Sequence, residues 1–252
     1  MRNRLRYTLL ALFTLGIFSS ACGQAPTAEL PRTADGKPRL DGIWQALTEA
    51  NWDIRPHAAG PAPLAEMGTF SAIHPGLGII EGGEIPYQPW AAEQQQQNFA
   101  NRLELDPEGK CFLPGVPRAT YLPYPFQILQ TPQHVMIAYQ FANAVRTIHM
   151  TDPGPAPADS WMGWSVGRWE GDTLVVRTTR INWDYFDRQG APMTTDVVVD
   201  ERFTVVEDGN RLNYLMTVTD PAILVRPFVW DAHFIWRRGE EVNLYDCTLE
   251  YQ

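Results

Sequence analysis

Cysteine and histidine are scarce in this chain, with three and five among 252 residues. No C-x-x-C or H-E-x-x-H occurs, which removes the thioredoxin-like and zincin readings. His57, His74, His134, His149 and His233 include no pair at close ligand spacing, so no metal site is expected. "GLGIIEGG" (76–83) is glycine-rich but lies in Pro-rich coil. A phosphate loop needs a strand before it and a helix after it, so no nucleotide or other cofactor is expected. Positive charge is also lacking. The formal net charge is −9, and a leader holding three arginines and no acid would leave −12 on its removal. That balance argues against nucleic acid or an anionic membrane surface as partner.

Long apolar runs are absent beyond the N-terminus. Arg2, Arg4 and Arg6 precede "YTLLALFTLGIF" (7–18), a run fit for a signal peptide and short for a membrane span. "SSACG" then places Cys22 after small residues. One reading is a lipoprotein acylated at Cys22, with Ser19 standing where a lipobox usually has Leu. The other is plain cleavage, for example after Ala25, and a soluble product. Either way the chain is expected to be exported, as a periplasmic protein or an outer-membrane lipoprotein touching the membrane only through its anchor. In an oxidising compartment the remaining Cys111 and Cys247 suit a disulfide, worth about 4–5 kcal/mol in the chain-entropy model. The alternative is two buried thiols.

Aromatic residues, in contrast, are plentiful: nine Trp, nine Tyr and eleven Phe give ample surface to bury. After a signal peptide (1–25) and a polar, Pro-rich linker (26–40), residues 41–252 read as one β-rich domain. Its first part, 41–125, is Pro/Gly-rich coil, with one short helix over "PWAAEQQQQNFANRLEL" starting at Pro89. Its second part, 126–252, alternates β-branched and aromatic runs with short turn signals. "FQILQ", "HVMIAYQF", "AVRTIHM", "WMGWSVGRW", "TLVVRTTR", "DVVVDERFTVV", "RLNYLMTVTD", "LVRPFVWDAHFIWRR" and "VNLYDCTLEY" make about nine strands in sequential hairpins. Such an antiparallel meander curls on itself. The fold class is therefore all-β: a lipocalin-like barrel or strongly curved sheet, with 41–125 packed on it or plugging one mouth.

"PRTADGKPRLDGIWQ" (31–45) and "SVGRWEGDTLVVRTTRINWDYFDRQGAP" (165–192) carry a resemblance. They are similar to a widespread family of uncharacterised exported bacterial proteins reading D-G-K-P-x-L-x-G-x-W and S-V-G-R-W-E-G-D-T-L-V-V. "EGGEIPYQPWA" and "CFLPGVPRATYLPYPFQI" are similar to the same family, so the resemblance spans most of the chain beyond the leader. It implies export and brings no catalytic residue.

Candidate residues come from the coil and the strands. His57 in "NWDIRPHAAG", Glu84 in "EGGEIPYQPW", and Arg118, Tyr121 and Tyr124 in "PRATYLPYP" supply an imidazole, a carboxylate, a guanidinium and two phenols. A base beside a Tyr or Arg that stabilises an oxyanion is a workable division of labour. The bland alternative is that these groups pair with coil carbonyls. Trp164 lies among glycines in "WMGWSVGRW", and Trp183 and Asp187 lie in an aromatic, acidic loop that either contacts a ligand or folds back on the rim. Asp231 and His233 share a strand face, interior or solvated depending on which side is core.

Three functions follow. The first is an exported protein binding an amphipathic or aromatic small molecule in or over the barrel. The second is a cofactor-independent acid/base enzyme (lyase, isomerase or hydrolase). The third is a structural envelope lipoprotein.

Overall fold

The computed structural model describes residues 30–61, 72–182, 184–206 and 209–245. The leader with Cys22, Trp183 and Cys247 lie outside them, and with them the lipidation and disulfide expectations. No helix among the described residues is long and apolar enough to cross a membrane.

Nine strands form a closed barrel: β1 (Gly42–Ala46), β2 (Phe126–Gln130), β3 (His134–Tyr139), β4 (Val145–His149), β5 (Trp164–Glu170), β6 (Thr173–Thr179), β7 (Val198–Val206), β8 (Arg211–Thr219) and β9 (Phe228–Trp236). The all-β barrel expected from the alternating runs is what forms. Two features differ from the meander. Closure comes from β1, which pairs Trp44 with Phe126 on one side and with Trp236 on the other. The last run, "VNLYDCTLEY", has no regular structure as far as Tyr245. Its aromatic ring is used otherwise: Tyr245 packs on Tyr124 and Phe141, with ring centroids 5.2 and 4.6 Å away. The second difference is that β4 and β5 are parallel, so the chain must cross over between Met150 and Gly163.

β5 shows how sequence makes this crossing possible. Ser165 and Gly167 point inward and Trp164, Val166 and Arg168 outward, as strand alternation requires. A Cβ on Gly167 would stand 2.7 Å from Ile148 Cγ2 and 2.9 Å from Met150 Sδ. Only glycine lets the end of β4 pack this closely. The same alternation sorts β9, with Phe228, Trp230, Ala232 and Phe234 inward and Asp231 and His233 exposed.

Inward-facing side chains fill the barrel. Phe126, Phe203, Tyr214, Trp230 and Phe234 are all buried and meet edge-to-face or tilted at 4.9–5.5 Å. Each such ring contributes roughly 1.5–3 kcal/mol by leaving water. Arg146 and Glu201 are buried among them. Arg146 donates to Ser165 Oγ (3.0 Å), Thr178 Oγ1 (2.6 Å) and both Glu201 oxygens, and the Tyr214 hydroxyl donates to Glu201 at 2.6 Å. With each charge met by several partners, the pair survives burial. These groups occupy the lumen.

Topology puts the long connections at one end. The β1–β2 (47–125), β6–β7 (180–197) and β8–β9 (220–227) segments all leave the same mouth. The first carries α1 (Pro89–Ala100), α2 (Arg102–Leu105) and α3 (Arg118–Tyr121), the first two dividing the expected helix at Asn101. It forms a cap. Where β1 stops, Ile79–Glu81 continues beside β9: Glu81 N donates to Val229 O and Asp231 N to Ile79 O. Gln88 N donates to Ile223 O, fixing the cap to the β8–β9 loop.

Candidate functional site

Where the cap meets the β6–β7 loop, five carboxylates and three guanidiniums gather. α3 begins at Arg118, 1% exposed, which donates from Nη1 and Nη2 to Asp106 (2.7 and 2.8 Å) and from Nη2 to Glu108 Oε2 (2.6 Å). Arg188, from the β6–β7 loop, donates to both Glu108 oxygens and lies over the Trp52 ring, 4.5 Å from its centroid. Burial would raise Glu108, but Arg188 and Arg118 hold it below the usual carboxylate range. Asp184 Oδ1 accepts from Tyr185 N at 2.6 Å and stands 3.6 Å from Arg118 Nη1. Gly115 permits this approach, because a Cβ there would sit 3.2 Å from Asp184 Oδ2 and its φ is +69°.

Next to this group, Asp53 takes Arg55 in a two-pronged pair at 2.9 Å. Asp187, fully buried, accepts from Ile54 N (3.1 Å), Gln189 N (3.0 Å) and Ala191 N (3.3 Å). The charges then count simply. Arg118 and Arg188 balance Asp106 and Glu108, and Arg55 balances Asp53. Asp184 and Asp187 are left over in a dry setting, where an uncompensated anion is expensive. Burial accordingly pushes Asp184 up to about 8, against the pull of Arg118. Burial and the neighbouring Asp53 push Asp187 to about 7, against its backbone donors. Both are poised to hold protons near neutrality.

Tyr121 belongs to the same junction. Its hydroxyl donates to Phe186 O, and its ring meets Trp230 edge-on at 4.2 Å, which brings the cluster down onto the barrel. Burial raises the phenol well above its ordinary value. Ile54, Ile80, Met216 and Phe228 enclose the remaining space with Tyr121 and Trp230, and it is too small for a water molecule. Six buried side-chain polar atoms among the described residues have no hydrogen-bond partner. Five belong to this junction: Asn51 Oδ1, Tyr87 Oη, Arg118 Nε, Asp184 Oδ2 and Trp230 Nε1. The arrangement can donate and accept protons, and it can hydrogen-bond a polar group admitted between cap and barrel.

Arg118, Tyr121 and Asp187 are therefore brought together, while the other sequence candidates are dispersed. Glu84 is exposed. The ring nitrogens of His57 face Arg55 O (3.2 Å) and His74 O (3.1 Å), which tie two cap segments. Tyr124 packs at the rim on Phe141 and Tyr245. Trp164 stands outside the barrel against His149. Asp231 and His233 are on the solvated face, which excludes them from the interior because the opposite face of β9 is core. Asp106, Glu108 and Arg188 escaped sequence reading. The one available signal was "DPEG", whose paired acids turn through a tight bend with Glu108 N donating to Asp106 Oδ1 at 3.0 Å. Comparison with protein-family models, curated proteins and solved structures finds no match.

Proposed function

We propose that this chain is an exported small-molecule-binding protein that works at the capped mouth of its barrel and not in the lumen. The ligand class is amphipathic or aromatic, with a hydrogen-bonding head. The observation that carries the reading is the concentration of unpartnered buried polar atoms at one junction, where both donors (Arg118 Nε, Trp230 Nε1) and acceptors (Asp184 Oδ2, Asn51 Oδ1) await a partner. The apolar rings of Tyr121, Phe186, Phe228 and Trp230 beside them suit the body of such a molecule. Since this space is closed, binding requires the cap to shift from the β6–β7 loop. Resemblance to the exported family with the "SVGRWEGDTLVV" motif and the leader-like N-terminus support the location.

A thermal-shift screen against sugars, aromatic acids, sterols and fatty acids tests this. One class should stabilise the protein saturably, by roughly 2.7 kcal/mol at 100 times its Kd. Asp184→Asn or Tyr87→Phe should weaken that response, and Asp231→Asn should not. A hit indifferent to the cap variants, or no hit, overturns the reading.

Asp184 favours a second reading, acid/base catalysis. A carboxylic acid retaining its proton near pH 8 can act as a general acid at neutrality. A ligand from the screen that is consumed by wild type, and left intact by Asp184→Asn, would establish it.

A further inference from the structure

His134 and His149 are well separated in sequence but stand directly opposite each other on β3 and β4. The neighbouring pair is bridged by a hydrogen bond from Met150 N to Gln133 O at 2.9 Å. His134 and His149 are thus a non-hydrogen-bonded cross-strand pair, the kind whose side chains stand closest. Their ring centroids are 5.4 Å apart at 73°, on the outer wall of the barrel, with His134 exposed and His149 half-buried. Trp164, on β5, lies against the far side of His149 at 4.5 Å and is fixed there by its Nε1 donating to Gly154 O at 3.3 Å. Neither imidazole hydrogen-bonds to a described residue, so their nitrogens are available.

We propose that His134 and His149 form a two-imidazole chelate for a divalent transition cation, Cu2+ ahead of Zn2+. Metal–nitrogen bonds of about 2.0–2.1 Å place two imidazole centroids on one ion about 5 Å apart. The observed separation, 5.4 Å, lies close to that value. The sheet has already placed the two side chains opposite each other, which lowers the ordering cost of chelation. No third His, Cys, Asp or Glu joins them among the described residues, so water completes the coordination. With imidazole ligands and an open coordination sphere, Cu2+ leads the affinity order.

The test uses tag-free full-length protein purified from its native host fraction and titrated with CuCl2 and, separately, ZnCl2. Calorimetry should find one Cu2+ equivalent, with weaker Zn2+ binding at the same place. Paramagnetic resonance should show two equatorial imidazole nitrogens. Cu2+ should quench tryptophan emission, and Trp164→Phe should lose most of the quench while keeping the resonance signal. His134→Ala or His149→Ala should weaken binding at least tenfold with the thermal unfolding midpoint unchanged, since both rings are on the outer wall. His233→Ala, on the outer face of β9, should bind as wild type. Undiminished binding in the His134→Ala/His149→Ala double variant, or no Cu2+ binding by wild type, overturns the proposal.

Discussion

The surplus of acid at the cap junction makes a sharp prediction about pH. Asp184 is 1% exposed and pushed from an ordinary 3.8 up to about 8. Below pH 3.8 both folded and unfolded chains hold its proton. Between pH 4 and 8 only the folded chain does, so stability falls as pH rises through that window and levels off above it. One proton corresponds to about 1.4 kcal/mol per pH unit, or roughly 4 kcal/mol between pH 5 and pH 8. Asp187, raised to about 7, adds a slope of the same sign up to neutrality. Urea unfolding at pH 5, 6, 7 and 8 measures the slope. Asp184→Asn has the same shape and cannot ionise, so its stability relative to wild type should rise by about 4 kcal/mol across that range. Comparing the two proteins cancels the histidines and the exposed acids. If the difference between wild type and Asp184→Asn is flat from pH 5 to 8, Asp184 is already an anion in the fold and the charge count at the junction is wrong.

Removing Arg118 should be the most damaging change at the same site. Arg118→Met leaves Asp106 buried without its partner and Glu108 with Arg188 alone, and urea unfolding should register a loss of about 3–5 kcal/mol. In the lumen, Tyr214→Phe deletes one 2.6 Å bond to Glu201 while Arg146 and Thr178 remain, so about 1.5–3 kcal/mol should go. Gly167→Ala presses a methyl onto Ile148 and Met150 and should cost about 1–3 kcal/mol, seen as a lowered Tm. If Cys111 and Cys247 are joined, as the proposed export would favour, non-reducing peptide mapping will recover the linked fragments, and reduction should cost about 4–5 kcal/mol.

The barrel was legible because strand alternation is a local signal. In "FVWDAHFIW" one face is all apolar and the other is not, and the burial of β9 follows that division residue by residue. β1 was hidden for a physical reason. "GIWQA" is five residues long, flanked by Pro-rich coil, and becomes a strand only by lying between β2 and β9, pairings to residues far along the chain. The run that starts at Val242 differs the other way: its alternation was good, but β1 closes the barrel, and residues 242–245 form no strand.

The site shows the same limit more strongly. Arg118 and Asp187 could be picked out as polar groups in unusual surroundings, but what they do depends on charges that sequence does not place together. Asp106 meets Arg118 twelve residues along the chain, Glu108 meets Arg188 across the cap interface, and Asp53 raises Asp187 from the neighbouring cap segment. No window of sequence contains that neutrality sum. α1 itself buries only Ala91 and Asn98, while Ile54, Ile80, Ile85, Val116, Ala119 and Tyr121 carry the rest of the cap into the barrel's apolar core. The paired charges add to that hold, and the two unmatched acids make it depend on protons. A lid fastened in this way is released most cheaply where something else can supply the missing partners. That is the step linking the buried charges at the mouth to the binding proposed there, and the pH slope of Asp184 is its first measurable sign.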